Sequence, residues 1–225
     1  MTFNETDLGF ELRHEKFLAF FGKKDSTLKN LRTNYPELEW SWVKQVHGDY
    51  LHEAPKRGSS EVEADAQWTM QKKVGLITKT ADCVPVLAFN KITRSVLSIH
   101  AGWRGVALKI VPKSLLQLQI LSHQICDWEI FVGPHILQNS FQIKEDSYLL
   151  LKQSTSLKDD TWIKTAADGY QADLITLLKS QLDEIHVPAS QIHVLAYDTK
   201  SDTRFHSFRR DKDTSGRQIS FIALT

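Results

Sequence analysis

The sequence has few cysteines, no excess of charge and no long apolar run, and each shortage excludes a class of protein. The two cysteines, Cys83 and Cys126, allow at most one disulfide, too few to hold together a small secreted fold. No window approaches the ~20 consecutive apolar residues that span a bilayer. The first residues lack the basic start and apolar run of a secretory signal peptide. We therefore expect a cytoplasmic protein with reduced thiols and no membrane partner.

Charge is almost balanced, with 28 Lys+Arg against 27 Asp+Glu in 225 residues. This balance argues against a general polyanion-binding surface and against nucleic acid as a partner, although it allows a local basic pocket. Hydrophobic residues make up 41% of the chain and charged residues 24%, values typical of globular proteins. No internal repeat, low-complexity tract or long linker interrupts the sequence, so we expect a single domain over residues 1–225 with a substantial core.

Apolar periodicity predicts more strands than helices. Strands are predicted over 40–47, 74–80, 84–89, 95–100, 128–134, 192–199 and 217–225. Helical spacing predicts one helix over most of 103–122, kinked or started later by Pro112, and another over 173–185. Residues 55–65 are rich in turn formers and predict a loop. This order favours a mixed α+β fold over a doubly wound parallel sheet.

The stretch "TADCVPVLAFNKITRSVLSIHAGWRG" places two reactive side chains at the ends of a predicted hairpin. Pairing strand 84–89 with strand 95–100 puts Val84 opposite His100, so Cys83 and His100 lie at the same open end. Cross-strand neighbours have Cβ atoms ~5 Å apart, and diagonal neighbours ~7 to 8 Å. A thiolate and an imidazole at that separation can share a hydrogen bond or a metal ion.

The residues around this pair weigh against a purely structural role. A lone cysteine beside an apolar strand is usually a small buried hydrophobe. Here Asp82 directly precedes the thiol, and a small-residue turn follows His100 and leads into the predicted helix. That turn predicts an anion site made by Arg104 and the free N–H groups of the helix start.

His47 is a third candidate ligand because it closes another predicted strand and is followed by glycine. Together with Cys83 and His100 it would give a zinc site with three protein ligands and an open fourth position, the form of a catalytic zinc. A histidine at a strand end is also commonly an exposed surface residue, and spacing alone does not choose between these interpretations.

Six motifs occur in an order that resembles a known bacterial family: "KQVHG", "EADA", "TKTADCVPVLAFN", "IHAGWRG", "VGPHI" and "FHSFRRDKDTSGRQ". The family is that of laccase-domain or polyphenol oxidase-like proteins, now described as purine nucleoside phosphorylases, with relatives linked to peptidoglycan editing. The resemblance runs from about residue 40 to the C-terminus. It implies zinc on His47, Cys83 and His100, and mixed β-sheets packed together with flanking helices.

The resemblance also implies a reaction and its small-molecule partners. These are phosphorolysis of adenosine, inosine and methylthioadenosine, with phosphate as the second substrate, and deamination of adenosine. Zinc deaminases use a nearby carboxylate to shuttle protons, and Asp82 or Asp65 are the candidates here. Arg104 is the first candidate for the phosphate and Lys44 the second. The remaining substrate-contact candidates are Gln45 and His135, and the weaker cationic candidates are Arg209, Arg210 and Arg217.

Two segments depart from the family pattern. The segment "FFGKKDSTLKN" lacks the usual Thr-Arg-x-Gly-Gly run, which puts an N-terminal contribution to the pocket in question. The segment "HILQNSFQI" replaces small residues and a Cys-Tyr pair after "VGP", which predicts an altered pocket wall around His135 and Ser140.

Three other functions compete with a zinc enzyme. A metal-free cysteine hydrolase would use a Cys83/His100 dyad, in which the imidazole activates the thiol. A non-catalytic zinc-binding module would close its site with a fourth ligand, for which Cys126 and His135 are the candidates. A copper oxidase would need clustered histidines, whereas the 9 histidines are scattered with no His-x-His pair, so we do not expect copper. We expect a monomer.

Overall fold

The computed structural model describes residues 1–54, 58–120 and 124–225, with the backbone alone for 58–60. Parts of the predicted loop, at 55–57, and of the predicted first helix, at 121–122, lie outside these residues.

The described residues form sixteen strands, numbered in chain order. They are β1 (Asn4–Glu5), β2 (Gly9–Arg13), β3 (Phe17–Gly22), β4 (Glu39–Lys44), β5 (Leu51–Glu53), β6 (Gly58–Glu63), β7 (Ala66–Thr69), β8 (Val74–Thr80), β9 (Val84–Asn90), β10 (Val96–Ala101), β11 (Trp128–Val132), β12 (Gln142–Ile143), β13 (Ile163–Ala166), β14 (Gly169–Ala172), β15 (Ile192–Val194) and β16 (Gln218–Leu224).

The strands form three sheets. The first has seven strands in the order β1-β2-β3-β16-β8-β4-β6, the second has six in the order β15-β11-β9-β10-β7-β5, and the third is β12-β14-β13. In the first two sheets, parallel pairs such as β4 with β8 and β11 with β15 occur beside antiparallel pairs such as β9 with β10. The prediction of mixed sheets is therefore confirmed.

Seven α-helices lie in the described residues, together with four short 3₁₀ turns. The helices are α1 (Leu28–Asn34), α2 (Trp103–Ala107), α3 (Ile110–Leu118), α4 (Glu145–Lys152), α5 (Asp159–Trp162), α6 (Leu174–Asp183) and α7 (Phe208–Asp211). The 3₁₀ turns are Ile125–Asp127, Gln138–Ser140, Ala189–Gln191 and Lys212–Thr214. None of these helices combines the length and the apolar character that a membrane span requires.

The first two sheets pack face to face through an aromatic core. Phe17 stacks on Phe89 with ring centroids 4.6 Å apart, and Phe131 lies 5.6 Å from Phe17. Such aromatic pairs stabilise a core by about 0.5–1.5 kcal/mol beyond their area burial. Helix α1 covers the outer face of the first sheet through Leu31. Helices α2, α3, α4 and α6 cover the outer face of the second sheet, which confirms the α+β class with flanking helices.

The helix predicted over 103–122 is two helices. Lys109 separates α2 from α3 with a left-handed backbone at φ 59°, which a continuous helix does not allow. Pro112 is the third residue of α3, where its missing N–H has no intrahelical partner to lose. The proline therefore moves the helix start and does not kink the helix.

Two further predictions need correction. Residues 58–63 form β6 within the segment predicted as a loop. The hairpin register is also shifted by one residue, because His100 lies opposite Pro85 and not opposite Val84. The cause is a longer turn: the side chain of Asn90 accepts hydrogen bonds from the backbone N–H groups of Ile92 and Thr93, so the next strand begins only at Val96.

Candidate metal centre

Three ligand side chains from distant parts of the chain meet at one end of the two main sheets. His47 lies three residues beyond β4, Cys83 lies between β8 and β9, and His100 is on β10. Their donor atoms all lie within 4.8 Å of one another. The Sγ of Cys83 is 3.9 Å from Nε2 of His47, and the two imidazole rings are nearly perpendicular at 82°. The cluster could therefore hold one metal ion.

Asp65 fixes the orientation of His100. Its Oδ1 lies 2.7 Å from Nδ1 of His100, and both side chains are buried. Because a carboxylate only accepts hydrogen bonds, Nδ1 carries a proton, and Nε2 is the nitrogen that can bind a metal once its own proton has left. Burial raises the pKa of the Asp65 carboxyl, but the hydrogen bonds from His100 and from the Gly48 N–H hold that pKa below its ordinary value.

The same carboxylate also holds the turn that carries His47. It accepts hydrogen bonds from the backbone N–H groups of Val46 at 3.1 Å, His47 at 2.9 Å and Gly48 at 2.7 Å. His47 has a left-handed backbone, φ 61°, which is unfavourable for a residue with a side chain. The three hydrogen bonds to Asp65 offset this cost, so one buried carboxylate positions two of the three ligands.

Gly102 lets the backbone after β10 approach the ligands closely. A Cβ at this position would lie 2.8 Å from Cδ2 of His47 and 3.2 Å from Sγ of Cys83. The first separation is shorter than real side chains allow, so only glycine fits beside the cluster.

The electrostatics of the cluster suit a metal ligand set. Burial raises the pKa of the Cys83 thiol, but hydrogen bonds and charges from His100 and His47 outweigh it and lower that pKa to about 6. Burial lowers the pKa of His100, whereas Asp65 and the Cys83 thiolate raise it to about 9. Cys83 is thus a thiolate at neutral pH, the form that binds metals. One thiolate and two imidazoles match the donors of zinc sites, and no fourth ligand joins them in the described residues.

The cluster lies in a cavity of about 490 Å³, within the usual range for small-molecule sites. Among the described residues, three apolar side chains, two basic ones and the amide of Gln45 line it together with the three ligands, and none of these residues is acidic. The lining residues are Val43, Gln45, His47, Lys79, Ala81, Cys83, His100, Phe208 and Arg217.

Of the candidate substrate residues, Gln45 lines this cavity and Lys44 does not. The side-chain amide of Gln45 donates to the backbone oxygen of Lys79 and accepts from its N–H, both at 2.9 Å. Gln45 thereby extends the β4–β8 pairing to the cavity. The Nζ of Lys44 pairs with Glu63 at 2.8 Å outside the cavity lining.

Both carboxylate oxygens of Asp82, which precedes Cys83 in the chain, accept hydrogen bonds from distant segments. Its Oδ1 accepts the hydroxyl of Thr199 at 2.7 Å, and its Oδ2 accepts the N–H of Arg209 at 2.6 Å. Asp82 also has a left-handed backbone, φ 86°. Neither Asp82 nor Asp65 lines the cavity.

The expected convergence of Arg104 on the cluster is corrected by the structure. Arg104 is exposed on α2, stacks on the ring of Trp103 with its Cζ 4.5 Å from the centroid, and lines a separate cavity. His135 is also displaced from the expected rim. It is buried at 1% exposure, and its Nδ1 donates to the backbone oxygen of Gly133.

Sequence reasoning missed Lys79 and Phe208, and it ranked Arg217 low. Lys79 is the exposed position in an otherwise buried strand β8, a signal that the pattern "VGLITKT" carries. The three C-terminal arginines also differ in where their side chains lie. Arg217 lines the cavity, whereas the guanidinium of Arg209 donates to the backbone oxygen of Gln142 and that of Arg210 to neighbouring backbone oxygens.

Comparison with known proteins gives relatives over most of the chain. Purine nucleoside phosphorylase PA4543 of Pseudomonas aeruginosa is 31% identical over 190 residues, covering 84% of this chain and 75% of the relative. Purine nucleoside phosphorylase CA_C1699 of Clostridium acetobutylicum is 25% identical over 228 residues and covers 94% of both chains.

Solved structures share the fold. The hypothetical protein YfiH of Bacillus licheniformis superimposes with a TM-score of 0.88 at 20% identity, over 99% of both chains. YlmD from Geobacillus stearothermophilus superimposes with a TM-score of 0.85 at 23% identity, over 99% of this chain and 98% of that chain.

A sequence profile matches an even longer part of the chain than the motifs do. The profile is that of the multi-copper polyphenol oxidoreductase laccase family, and it matches residues 23–225. It therefore includes β4, β8, β10 and the C-terminal segment that surround the His-Cys-His cluster. The chain belongs to this family.

Proposed function

We propose that this protein is a zinc-dependent enzyme that cleaves purine nucleosides with phosphate. The observation that carries the proposal is the His47–Cys83–His100 cluster at the base of a cavity with basic and apolar walls and no acidic one. Relatives named purine nucleoside phosphorylase support the substrate class. Adenosine, inosine and methylthioadenosine are the proposed nucleosides, and the cytoplasm is the proposed location.

His47, Cys83 and His100 would hold the zinc, which supplies Lewis-acid activation at its open position when bound. The protein's own residues prepare that position. Asp65 holds Nδ1 of His100, which leaves Nε2 as the nitrogen for the metal, and it fixes the turn of His47. Gln45 is hydrogen-bonded to the backbone of Lys79. It thereby fixes the point on the cavity wall from which the lysine side chain extends.

In phosphorolysis an oxygen of phosphate forms a bond to C1′ of the ribose while the bond from C1′ to N9 of the purine breaks. The proton of the hydrogen phosphate dianion ends on the purine, so the products are the free base and ribose 1-phosphate. The step needs an anion held beside a neutral, largely planar partner. The basic walls of the cavity suit the anion, and its apolar walls suit the nucleoside.

Deamination of adenosine is the second proposed activity, and the site suits it less well. Water adds at C6, ammonia leaves, and zinc deaminases use a carboxylate to transfer the protons. No carboxylate lines the cavity, and both Asp65 and Asp82 are held in hydrogen bonds elsewhere. We therefore propose that phosphorolysis is the faster reaction of this chain.

The test is metal content by elemental mass spectrometry together with chromatography of adenosine incubated with and without phosphate. We expect about one zinc per chain and adenine formed only when phosphate is present. Inosine formed without phosphate measures deamination. His47→Ala is expected to lose both zinc and adenine formation. His52→Ala, which changes a histidine outside the cluster, is the matched control and should keep both.

A cysteine hydrolase acting on peptidoglycan precursors is the second candidate, because Cys83 and His100 form a thiolate–imidazolium pair at neutral pH. This dyad does not need His47. No zinc in the wild type, rapid alkylation of Cys83 and unchanged activity in His47→Ala would favour the hydrolase. Stoichiometric zinc with no turnover of any nucleoside would instead favour a non-catalytic zinc module.

A further inference from the structure

Three residues that line the metal cavity carry a charged or aromatic side chain and take no part in ligand positioning. Lys79 lies on β8, Phe208 begins α7, and Arg217 lies just before β16. Their side chains carry three different groups at the cavity: an ammonium, an aromatic ring and a guanidinium. We call these three residues the recognition wall.

The two cations of the recognition wall have no carboxylate partner among the described residues. Other basic side chains do: Lys44 pairs with Glu63, and Lys152 pairs with Asp159. The Nζ of Lys79 lies 5.5 Å over the ring of Trp42. Arg217 donates only from Nη1, to the backbone oxygens of Ser215 and Gly216, which leaves Nε and Nη2 for a ligand in the part of the chain described. Unpaired cations in a cavity without acidic walls attract an oxyanion.

Phe208 is an aromatic side chain placed outside the core. It is 45% exposed and belongs to none of the buried clusters of the described residues. The guanidinium of Arg217 lies 5.8 Å from its ring centroid. A partly exposed ring at the edge of a cavity offers a face on which a planar base can stack.

The backbone that carries Phe208 is held rigidly beside Cys83. The N–H of Arg209, the next residue, donates to Asp82 at 2.6 Å, and Ser207 caps α7 by accepting from the N–H of Arg210. Asp82 adjoins Cys83 in the chain. The backbone from which the ring extends therefore keeps a fixed position relative to Cys83.

We propose that Phe208 stacks on the purine base and that Arg217 and Lys79 bind the phosphate. This inference rests on the proposed function and divides its cavity into a ring position and an anion position. The ring position sets the substrate class as planar heteroaromatic nucleosides, because stacking tolerates any base with an aromatic face.

The test separates binding from turnover. Calorimetry measures inosine alone and inorganic phosphate alone, and initial rates give a KM for each substrate. Phe208→Ala and Phe208→Leu should both raise the dissociation constant and KM of inosine about tenfold and leave those of phosphate unchanged. Arg217→Ala and Lys79→Ala should weaken phosphate about tenfold and leave inosine unchanged. Arg217→Lys should recover part of the phosphate binding. Arg32→Ala, an exposed cation on α1, should match the wild type.

Zinc content and circular dichroism equal to the wild type show that each variant is folded. A Phe208→Leu variant that binds inosine like the wild type overturns the stacking position. Arg217→Ala and Lys79→Ala variants that bind phosphate normally overturn the anion position. If the wild type binds both ligands with the expected variant pattern but forms no base, the proposed reaction fails while the assignment of the recognition wall stands.

Discussion

The carboxylate of Asp65 accepts the Nδ1–H of His100 at 2.7 Å and the backbone N–H of His47 at 2.9 Å. These histidines belong to different sheets, since His47 follows β4 of the first sheet and His100 lies on β10 of the second. Asp65 itself lies in the connection from β6 to β7, which also passes from one sheet to the other. One buried side chain therefore sets the geometry of ligands that no local sequence element brings together.

Asp65→Asn should weaken metal binding about 10–100-fold, the usual effect of losing an outer-sphere partner of a ligating histidine. The oxygen of an amide can still accept the hydrogen bonds on one side, but its NH₂ group would face two N–H donors on the other side. The measurement is a competition titration with a chromogenic chelator. Asp159→Asn, an exposed carboxylate paired with Lys152, is the control, and equal affinities in the two variants would contradict the role of Asp65.

Gly102→Ala should disrupt the cluster, because its Cβ would lie 2.8 Å from His47 and 3.2 Å from Cys83. We expect a folded protein that holds substoichiometric metal, measured by elemental analysis after gel filtration. Gly48→Ala is a matched control next to His47, since its Cβ would meet no atom nearer than 3.7 Å. Full metal content in Gly102→Ala would show that the backbone there moves aside readily.

Asp82→Ala should lower the free energy of unfolding by about 3 kcal/mol. The change removes two hydrogen bonds to a charged acceptor and puts alanine at φ 86°. Asp82→Asn should cost roughly half as much, because asparagine tolerates a left-handed backbone and keeps one acceptor. Urea unfolding curves measure both. Similar losses for the two variants would show that the carboxylate charge, and not the backbone conformation, dominates.

Glu129 should contribute to the fall in the free energy of unfolding at acid pH. Burial raises its pKa, but Lys91 and His193, at 2.6 and 2.8 Å, outweigh burial and hold the pKa below its ordinary value. The folded state therefore binds this proton less readily than the unfolded state. The stabilisation is present above the ordinary carboxyl pKa and is lost as pH falls through the lower folded value.

Glu129→Gln should accordingly unfold with a shallower dependence on pH in the acid range, measured by urea midpoints at a series of pH values. Glu15→Gln, an exposed carboxylate, serves as the control. Parallel acid limbs for the wild type and Glu129→Gln would contradict the assignment.

Removal of the proposed metal should lower the melting temperature. A ligand present at 100 times its Kd stabilises the folded state by ~2.7 kcal/mol. For a chain of this size that corresponds to a loss of roughly 5–10 °C on treatment with a chelator, measured by differential scanning fluorimetry. His47→Ala should melt at one temperature with or without the chelator, while His52→Ala should behave as the wild type.

The central strands could be predicted from the sequence because they are buried on both faces. β8 begins and ends at the predicted residues 74 and 80, and β9 and β10 deviate by one residue. The deviation has a local cause in the side chain of Asn90, which lengthens the turn by capping its N–H groups. Strand periodicity does not carry that information, so the register at His100 was wrong by one residue.

Residues of the site could be predicted only where one local element of the chain brings the reactive side chains together. Cys83 and His100 come from one hairpin, and their proximity follows from its pairing. The place of Lys79 and Phe208 depends on how β8 and α7 pack against each other, which a linear pattern does not encode. Arg104 shows the converse, because its guanidinium stacks on its neighbour Trp103 and lines a separate cavity. A helix start in the sequence was a poor guide to an anion site.

Exposure falls steadily across the three ligands: His47 is exposed, Cys83 is half-buried and His100 is 3% exposed. This gradient gives the centre a solvent side and a protein side with different kinetic roles. An ion arriving from solution would meet His47 first and would leave by the same side, so substitutions there should act on the rates of capture and release together. His100, held at Nδ1 by the buried Asp65, would be the ligand that solvent reaches least.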